Sequence, residues 1–166
     1  TALVGVLVFD VLPGLMIAVG LSLLLTIYRA SQPRISEVGR IPGTTDLVSV
    51  HRDPSAITLP GLLVLRPDEN LFFANATGLN DEVLRHLREA KSPVKEVLLD
   101  LELTEGLDVP GADMLRALHE DLSQRGVVLS LARVHAPARR MLVSSGVLEK
   151  IGADHLYPQV STGVEA

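Results

Sequence analysis

The chain has 166 residues, 47% of them hydrophobic, with no cysteine and a net charge of −5. The lack of cysteine excludes a disulfide scaffold, thiolate-bound zinc and an iron–sulfur centre, and the acidic balance argues against a nucleic-acid partner. The charges are unevenly distributed, because Asp10 is the only charged residue among the first 28. This pattern predicts a membrane-type segment joined to an acidic globular domain.

Residues 1–30 are predicted to be the end of a transmembrane domain, built from two short apolar helices. The first helix is expected to end near Phe9 and the second to run from about Leu15 to Ala30. The break between them contains three residues that interrupt the apolar run: Asp10, Pro13 and Gly14. A carboxylate in hydrocarbon is costly, and a proline removes one helical hydrogen bond. At about 1.5 Å per residue the second helix would reach roughly 24 Å, less than the roughly 30 Å hydrocarbon core.

Short, broken spans require neighbouring helices, so membrane lipids and the remaining helices of a larger bundle are the expected surroundings. A signal peptide would need a basic region before a shorter apolar stretch, and neither is present. A buried core helix stays open as an alternative. The stretch just after the apolar segment contains three basic residues, Arg29, Arg34 and Arg40, and a single acidic residue, Glu37. By the positive-inside rule, this flank and everything after it is predicted to be cytoplasmic.

The role of Asp10 has two interpretations. It can pair with another transmembrane helix, since an intramembrane carboxylate is a functional candidate by default, or it can cap the break.

Residues 31–61 are predicted to be a linker and a strand that leads into the folded domain. Four residues in the first half of this stretch disfavour a helix: Pro33, Gly39, Pro42 and Gly43. Leu47–His51 alternates weakly between apolar and polar residues, which is typical of a short extended segment.

Residues 62–166 alternate short apolar runs with amphipathic stretches. The predicted strands are Leu62–Arg66, Leu71–Ala74, Val97–Leu101, Val127–Ala132 and a short piece at His155–Tyr157. The predicted helices are Asn80–Ala90, Gly111–Gln124, one opened by Pro137 and closed by Gly146, and a last turn at Val147–Ile151. The first two strands are expected to form an antiparallel hairpin. The order predicts an α/β fold with a small mixed β-sheet of four to five strands covered by helices.

The sequence lacks the motifs of common catalytic and cofactor sites. Its five histidines are scattered without metal-ligand spacing, and no nucleophile elbow, phosphate-binding loop or dinucleotide-binding glycine motif occurs. Four carboxylates crowd the loop after the third predicted strand: Asp100, Glu102, Glu105 and Asp108. Paired acids can do acid–base chemistry, but a solvated turn with a helix cap is the favoured interpretation. We therefore predict no catalytic, cofactor-binding or metal-binding residue.

This acidic loop leads from a strand end to a helix start. A helix start offers free backbone N–H groups and the positive end of the helix dipole. Asp108 is predicted to cap the helix, and Gly111 would let it approach the sheet closely. We take Asp100, Asp108 and Gly111 as the candidate residues of a regulatory helix-start loop.

These residues also resemble a known family. The acidic loop and the elements around it are similar to the STAS domain. The shared features are a strand ending in Asp, a second Asp eight positions on, a nearby Gly, an amphipathic helix and the run RGVVLSLA. Anti-sigma-factor antagonists share this domain with the tails of SulP-type anion transporters. Three segments resemble the transporter branch: VFDVLPGLMIAVGLSLLL at 8–25, VGRIPGT at 38–44 and LPGLLVLRPDENLFFANA at 59–76. The resemblance covers nearly the whole chain, in order and in spacing.

The resemblance implies the C-terminal part of a homodimeric transporter for sulfate, bicarbonate, dicarboxylate or a similar anion, located in the cell membrane. The STAS domain at 62–166 would lie in the cytoplasm and serve assembly, regulation and the docking of a cytoplasmic protein partner, without catalysis. The substrate site would lie in helices that precede this chain. Two alternatives stay open: a soluble STAS-type signalling module whose apolar segment is a peripheral anchor or cloning remnant, and an α/β ligand-binding domain or enzyme that uses the acidic loop.

The sequence departs from the antagonist branch at the helix start. In that branch a Ser or Thr just before the helix-start Gly is phosphorylated, whereas Val109 and Pro110 stand here and carry no hydroxyl. Phosphorylation at this point is therefore chemically impossible. Arg139 and Arg140 could bind a phosphate or lipid headgroup, but a solvated helix face is the favoured interpretation.

Overall fold

The computed structural model describes residues 11–31, 33–44 and 47–165, and it divides into two compact units after residue 32. In the described part of the first unit there is one helix, α1 (Val11–Ala30). It begins four residues before the predicted Leu15, so Pro13 and Gly14 lie inside its first turn instead of in a break. Proline is tolerated there because the N–H groups of a first turn have no helical partner. Asp10 and the predicted first helix lie outside the described residues.

Helix α1 is apolar on every side. Within it, the 18 residues from Leu12 to Arg29 are long and apolar enough to cross a membrane, and only 6% of that span is buried. A core helix of a soluble protein would be mostly buried, which this helix is not. Twenty residues at about 1.5 Å each reach roughly 30 Å, which matches the hydrocarbon thickness better than the shorter helix predicted from the sequence.

The second unit is built on a six-stranded mixed sheet in the order β2-β1-β3-β4-β5-β6. The strands are β1 (Ile35–Arg40), β2 (Leu47–Ser49), β3 (Leu62–Pro67), β4 (Glu96–Asp100), β5 (Val128–Ala132) and β6 (Leu156–Tyr157). Strand β1 is antiparallel to both β2 and β3, whereas β3, β4, β5 and β6 are parallel. The predicted mixed sheet covered by helices is confirmed, but it has six strands instead of four to five, because the stretch predicted as a linker and entry strand contributes two neighbouring strands, the edge strand β2 and β1 beside it.

Helices cover both faces of this sheet. They are α2 (Ala76–Glu89), α3 (Val109–Gln124), α4 (Ala136–Ser144), α5 (Val147–Ile151) and α6 (Val160–Glu165). The larger core lies under α2 to α5, and the smaller one includes Val160 of α6. Successive strand residues divide between the two: Leu63 and Leu65 join the larger core and Val64 the smaller. This alternation is expected of strands buried on both faces.

The predicted strand at Leu71–Ala74 is wrong. These residues form a turn, held by Asn75, whose Oδ1 accepts a hydrogen bond from the Phe72 N–H at 3.0 Å. The Asn75 side-chain amide donates to the Asn70 carbonyl at 3.0 Å. A hairpin could not form, because β1 and β4 already occupy the two edges of β3. The released chain enters α2 at Ala76, four residues before the predicted Asn80.

Candidate functional site

Three charged side chains meet where the parallel strands β3, β4 and β5 end. Arg66 is the next-to-last residue of β3, Asp100 ends β4 and Arg133 directly follows β5. Because the carboxyl ends of parallel strands lie at one edge of a sheet, the topology brings these three together from distant points in the sequence. The candidate site begins with the buried member, Asp100.

The Asp100 carboxylate is fully buried, with 0% of its side chain exposed. Its Oδ2 accepts a hydrogen bond from Arg66 Nε at 2.6 Å and a further one from Arg133 Nη2. Its Oδ1 accepts from Arg133 Nε at 2.8 Å and from the Glu102 N–H at 3.2 Å. A buried carboxylate is tolerated only when it is paired and hydrogen-bonded in this way.

Arg133 adopts an unusual backbone conformation. Its φ is +55°, in the left-handed region that non-glycine residues seldom occupy. The Arg133 N–H donates to the Tyr157 carbonyl at 3.0 Å, and the side chain holds Asp100 at two points. The hydrogen bonding to Asp100 raises the pKa of the Arg133 guanidinium above its usual value, against the opposing effect of desolvation. Strained residues persist when their surroundings fix them, and these contacts fix Arg133.

Glu102 lies on the solvent side of the two arginines. Its Oε1 is 2.7 Å from Arg133 Nη1, and its Oε2 is 3.9 Å from Arg66 Nη1. The Glu102 side chain is 43% exposed, unlike that of Asp100. The Glu102 carbonyl accepts a hydrogen bond from His135 Nε2 at 2.7 Å. The four charges therefore form a network with one buried and one solvent-accessible carboxylate.

Asp108 and Gly111 meet at the start of α3. Asp108 Oδ1 accepts a hydrogen bond from the Gly111 N–H at 2.9 Å, which caps the helix. Its Oδ2 accepts from the Phe73 N–H at 2.8 Å and so ties the loop before α2 to the helix start. A Cβ on Gly111 would lie 2.7 Å from Leu107 Cδ1 and 2.9 Å from Asp108 Oδ1. A side chain at position 111 would therefore require the Leu107 or Asp108 side chain to shift.

The candidate residues named from the sequence thus belong to two adjoining groups. Asp108 and Gly111 contact each other, whereas Asp100 joins Arg66 and Arg133, and within the described ranges no hydrogen bond or ion pair links Asp100 to Asp108. Sequence reasoning missed the two arginines as partners of Asp100. No local pattern reveals this pairing, because it follows only once the strand order places the ends of β3 and β5 beside the Asp that ends β4.

The geometry does not favour an acid–base site. Asp100 is occupied by two arginines, and His135 is bound to a backbone carbonyl. Across residues 11–31, 33–44 and 47–165 no cluster of His, Cys, Asp or Glu is arranged to hold a metal ion. Arg139 and Arg140 are exposed on α4, beside the exposed Val143.

Three large apolar side chains are exposed around the helix start. Phe73 is 69% exposed, Val109 58% and Leu103 46%. Phe73 is fixed by its backbone bond to Asp108, and Val109 is the first residue of α3. We call this group, Phe73, Leu103 and Val109, the helix-start surface.

The STAS domain model matches residues 53–163 of this chain. A probable sulfate transporter of Mycobacterium tuberculosis is 34% identical over 162 residues, covering 98% of this chain and 29% of the relative. Probable sulfate transporter 3.4 of Arabidopsis thaliana is 32% identical over 168 residues, covering 96% of this chain and 26% of the relative. This chain therefore spans less than a third of the length of the curated relatives it matches.

Solved structures have the same fold. The murine Slc26a9 anion transporter in its inward-facing state superposes with a TM-score of 0.76 at 22% identity, over 92% of this chain and 25% of that one. The SulP transporter STAS domain of Vibrio cholerae superposes with a TM-score of 0.55 at 17% identity, over 69% of this chain and 87% of that one. An anti-sigma factor antagonist of Mycobacterium paratuberculosis superposes with a TM-score of 0.54 at 16% identity, over 80% of this chain and 96% of that one.

The fold, the Asp-ended strand with its capped helix and the family match together define the class: the chain belongs to the STAS domain family. Its curated relatives are sulfate transporters, and the resemblance to the SulP branch predicted from the sequence is confirmed.

Proposed function

We propose that the chain is the C-terminal part of a secondary transporter for sulfate or a similar anion. Helix α1 would be its last membrane helix, and residues 33–165 its cytoplasmic STAS domain. The observation that carries this proposal is the order of parts: an apolar helix long enough to span a membrane directly precedes a STAS fold. The sulfate transporters named above match that whole arrangement over 96–98% of this chain.

The first experiment tests membrane insertion of the full chain. The chain is expressed in bacteria, and the membranes are extracted with alkaline carbonate, which releases peripheral proteins. We expect it to stay in the membrane fraction, and a double variant with charges in α1, Ile17→Lys and Leu24→Lys, to be released. The matched control is Ile57→Lys with Leu103→Lys, which places the same charges on exposed apolar residues of the second unit. Release of the unaltered chain would contradict the proposal.

Sidedness and transport need separate measurements. Protease added to inside-out vesicles should digest the second unit, whereas right-side-out vesicles should protect it. A chimera in which this chain replaces the matching part of the Mycobacterium tuberculosis relative should restore sulfate uptake to a strain that lacks it. A chimera that reaches the membrane but carries no anion would argue against a shared transport role.

Within the transporter, we assign assembly, regulation and partner docking to the STAS domain, without catalysis. We place docking at the helix-start surface, where three large apolar side chains are exposed close to the start of α3. We propose a homodimeric parent. Kinase treatment should leave residues 108–111 unmodified, since neither Val109 nor Pro110 can accept phosphate.

The second candidate is a soluble STAS-type signalling module. The likeness in fold to the Mycobacterium paratuberculosis antagonist favours it. A full chain that stays monodisperse without detergent would support this candidate over the transporter.

A further inference from the structure

Arg66 and Arg133, at the carboxyl ends of the parallel strands, have N–H groups that their carboxylate partners do not use. Among the residues that the structure describes, the Arg66 guanidinium donates one hydrogen bond, from Nε to Asp100, and its Nη1 is 3.9 Å from Glu102. A guanidinium has five N–H groups, so the outer nitrogens of Arg66 keep unused donors. Arg133 uses Nε and Nη2 on Asp100 and presents Nη1 to Glu102.

The two carboxylates of this network have different roles. Asp100 is fully buried and cannot leave, so it holds both guanidiniums side by side. Glu102 is 43% exposed and makes a single close contact with the pair, at 2.7 Å. Rotation of this one side chain into solvent would leave two positive charges against one negative charge.

We propose that Arg66 and Arg133 form a binding site for a small free oxyanion, such as sulfate or phosphate, and that the Glu102 carboxylate occupies this site as a built-in competitor. The guanidinium fork matches oxyanions that offer two or more oxygens, and Asp100 orients both forks before the anion arrives. Binding is weak in the unaltered chain because the anion must displace Glu102 and tolerate the buried Asp100. The site belongs to the second unit and does not depend on the transport proposal.

The test uses the full chain in non-ionic detergent, titrated with sodium sulfate, sodium phosphate or sodium acetate at an ionic strength held constant with sodium chloride. The readout is the NMR signal of each arginine Nε–H. Those of Arg66 and Arg133 are hydrogen-bonded to Asp100, which slows their exchange with water. We expect saturable shifts at these two residues and none at the exposed Arg88 and Arg125. Equal shifts at all four arginines would mean general screening and would overturn the proposal.

Glu102→Gln gives the decisive comparison. It removes the competing charge and should tighten sulfate and phosphate binding by about fivefold or more, a gain that misfolding cannot imitate. Glu105→Gln is the matched control, since Glu105 is exposed in the same loop, and it should change the affinity by less than about twofold. Arg66→Lys keeps the charge but loses the fork, and should weaken binding. Equal affinities for Glu102→Gln and Glu105→Gln would refute the built-in competitor. Acetate binding as tight as sulfate would assign the site to carboxylates instead of tetrahedral anions.

Discussion

The guanidinium of Arg133 holds the buried carboxylate of Asp100 at two points, although 33 positions separate the two residues in the chain. The parallel neighbours β4 and β5 end side by side, with Asp100 opposite Ala132 in the register, so the next residue after β5 is placed at the Asp100 side chain. The left-handed backbone of Arg133 turns the chain at this point. This ion pair thus joins the end of β4 to the first residue of the loop that follows β5.

Replacing Asp100 by Asn should destabilise the folded chain. The amide has one oxygen and one NH₂ group, and the NH₂ group would face guanidinium donors in a buried place. We expect the free energy of unfolding to fall by about 2–4 kcal/mol, measured by urea denaturation. The control is Asp113→Asn, which breaks an exposed pair with Arg116 and should cost less than about 1 kcal/mol. If both variants lose equally little, the buried network contributes no special stability.

Two variants of Asp108 can separate its two hydrogen bonds. Asp108→Ala should remove the acceptors of both Gly111 and Phe73, costing about 1–2 kcal/mol and speeding hydrogen exchange at both amides. Asp108→Asn keeps one oxygen to cap the helix but presents NH₂ to Phe73. Its expected signature is protection retained at Gly111 and lost at Phe73. Loss of protection at both amides in the Asn variant would show that the two contacts are not independent.

Gly111 and Gly106 provide a matched pair of glycines in the same loop. Gly111→Ala would bring Cβ to 2.7 Å from Leu107 Cδ1, and the expected cost is about 1–3 kcal/mol in spite of the better helix propensity of alanine. A Cβ at Gly106 meets nothing within 4 Å, so Gly106→Ala should change stability by less than about 1 kcal/mol. Thermal unfolding of both variants checks this. If Gly111→Ala left the stability unchanged, the residues around position 111 would be shown to shift at little cost.

The local pattern of the sequence is sufficient for the central elements of the fold. Strands β4 and β5 follow from apolar runs whose ends differ from the observed ones by at most one residue, because a strand buried on both faces needs a nearly continuous apolar segment. The Asp108 cap follows from its spacing before a helix. These features depend on neighbours in sequence, which a pattern can reveal.

The features that the sequence did not predict depend on distant contacts. The run Leu71–Ala74 has strand-like composition, but β1 takes the free edge of β3 that a hairpin would need. Pro13 suggests a break, yet its place in a first helical turn makes it harmless. Arg66 and Arg133 carry no local sign of their shared partner, since only the sheet order places both beside Asp100.

His86 is a half-buried histidine on α2 with neighbours of both charges. Its Nε2 lies 3.2 Å from Arg85 Nη2, and since a guanidinium can only donate, this contact suits the neutral imidazole. Burial lowers the pKa of His86 first, Arg85 lowers it further, and three acids oppose the change: Glu37, Glu82 and Glu89. His51 and Asp68 line the adjoining groove. The folded state therefore disfavours the protonated form of His86 relative to the unfolded chain.

This shift predicts how stability depends on pH. Because the pKa of His86 is lower in the folded state, the unfolded chain binds more protons between that pKa and the unfolded value of about 6.5. The free energy of unfolding contributed by His86 should be complete above pH 6.5 and decline as the pH falls through the folded pKa. His86→Gln should flatten this part of the pH profile, measured by urea denaturation from pH 8 to 5. Equal profiles for wild type and His86→Gln would show that His86 is protonated as easily in the folded protein as in the unfolded chain.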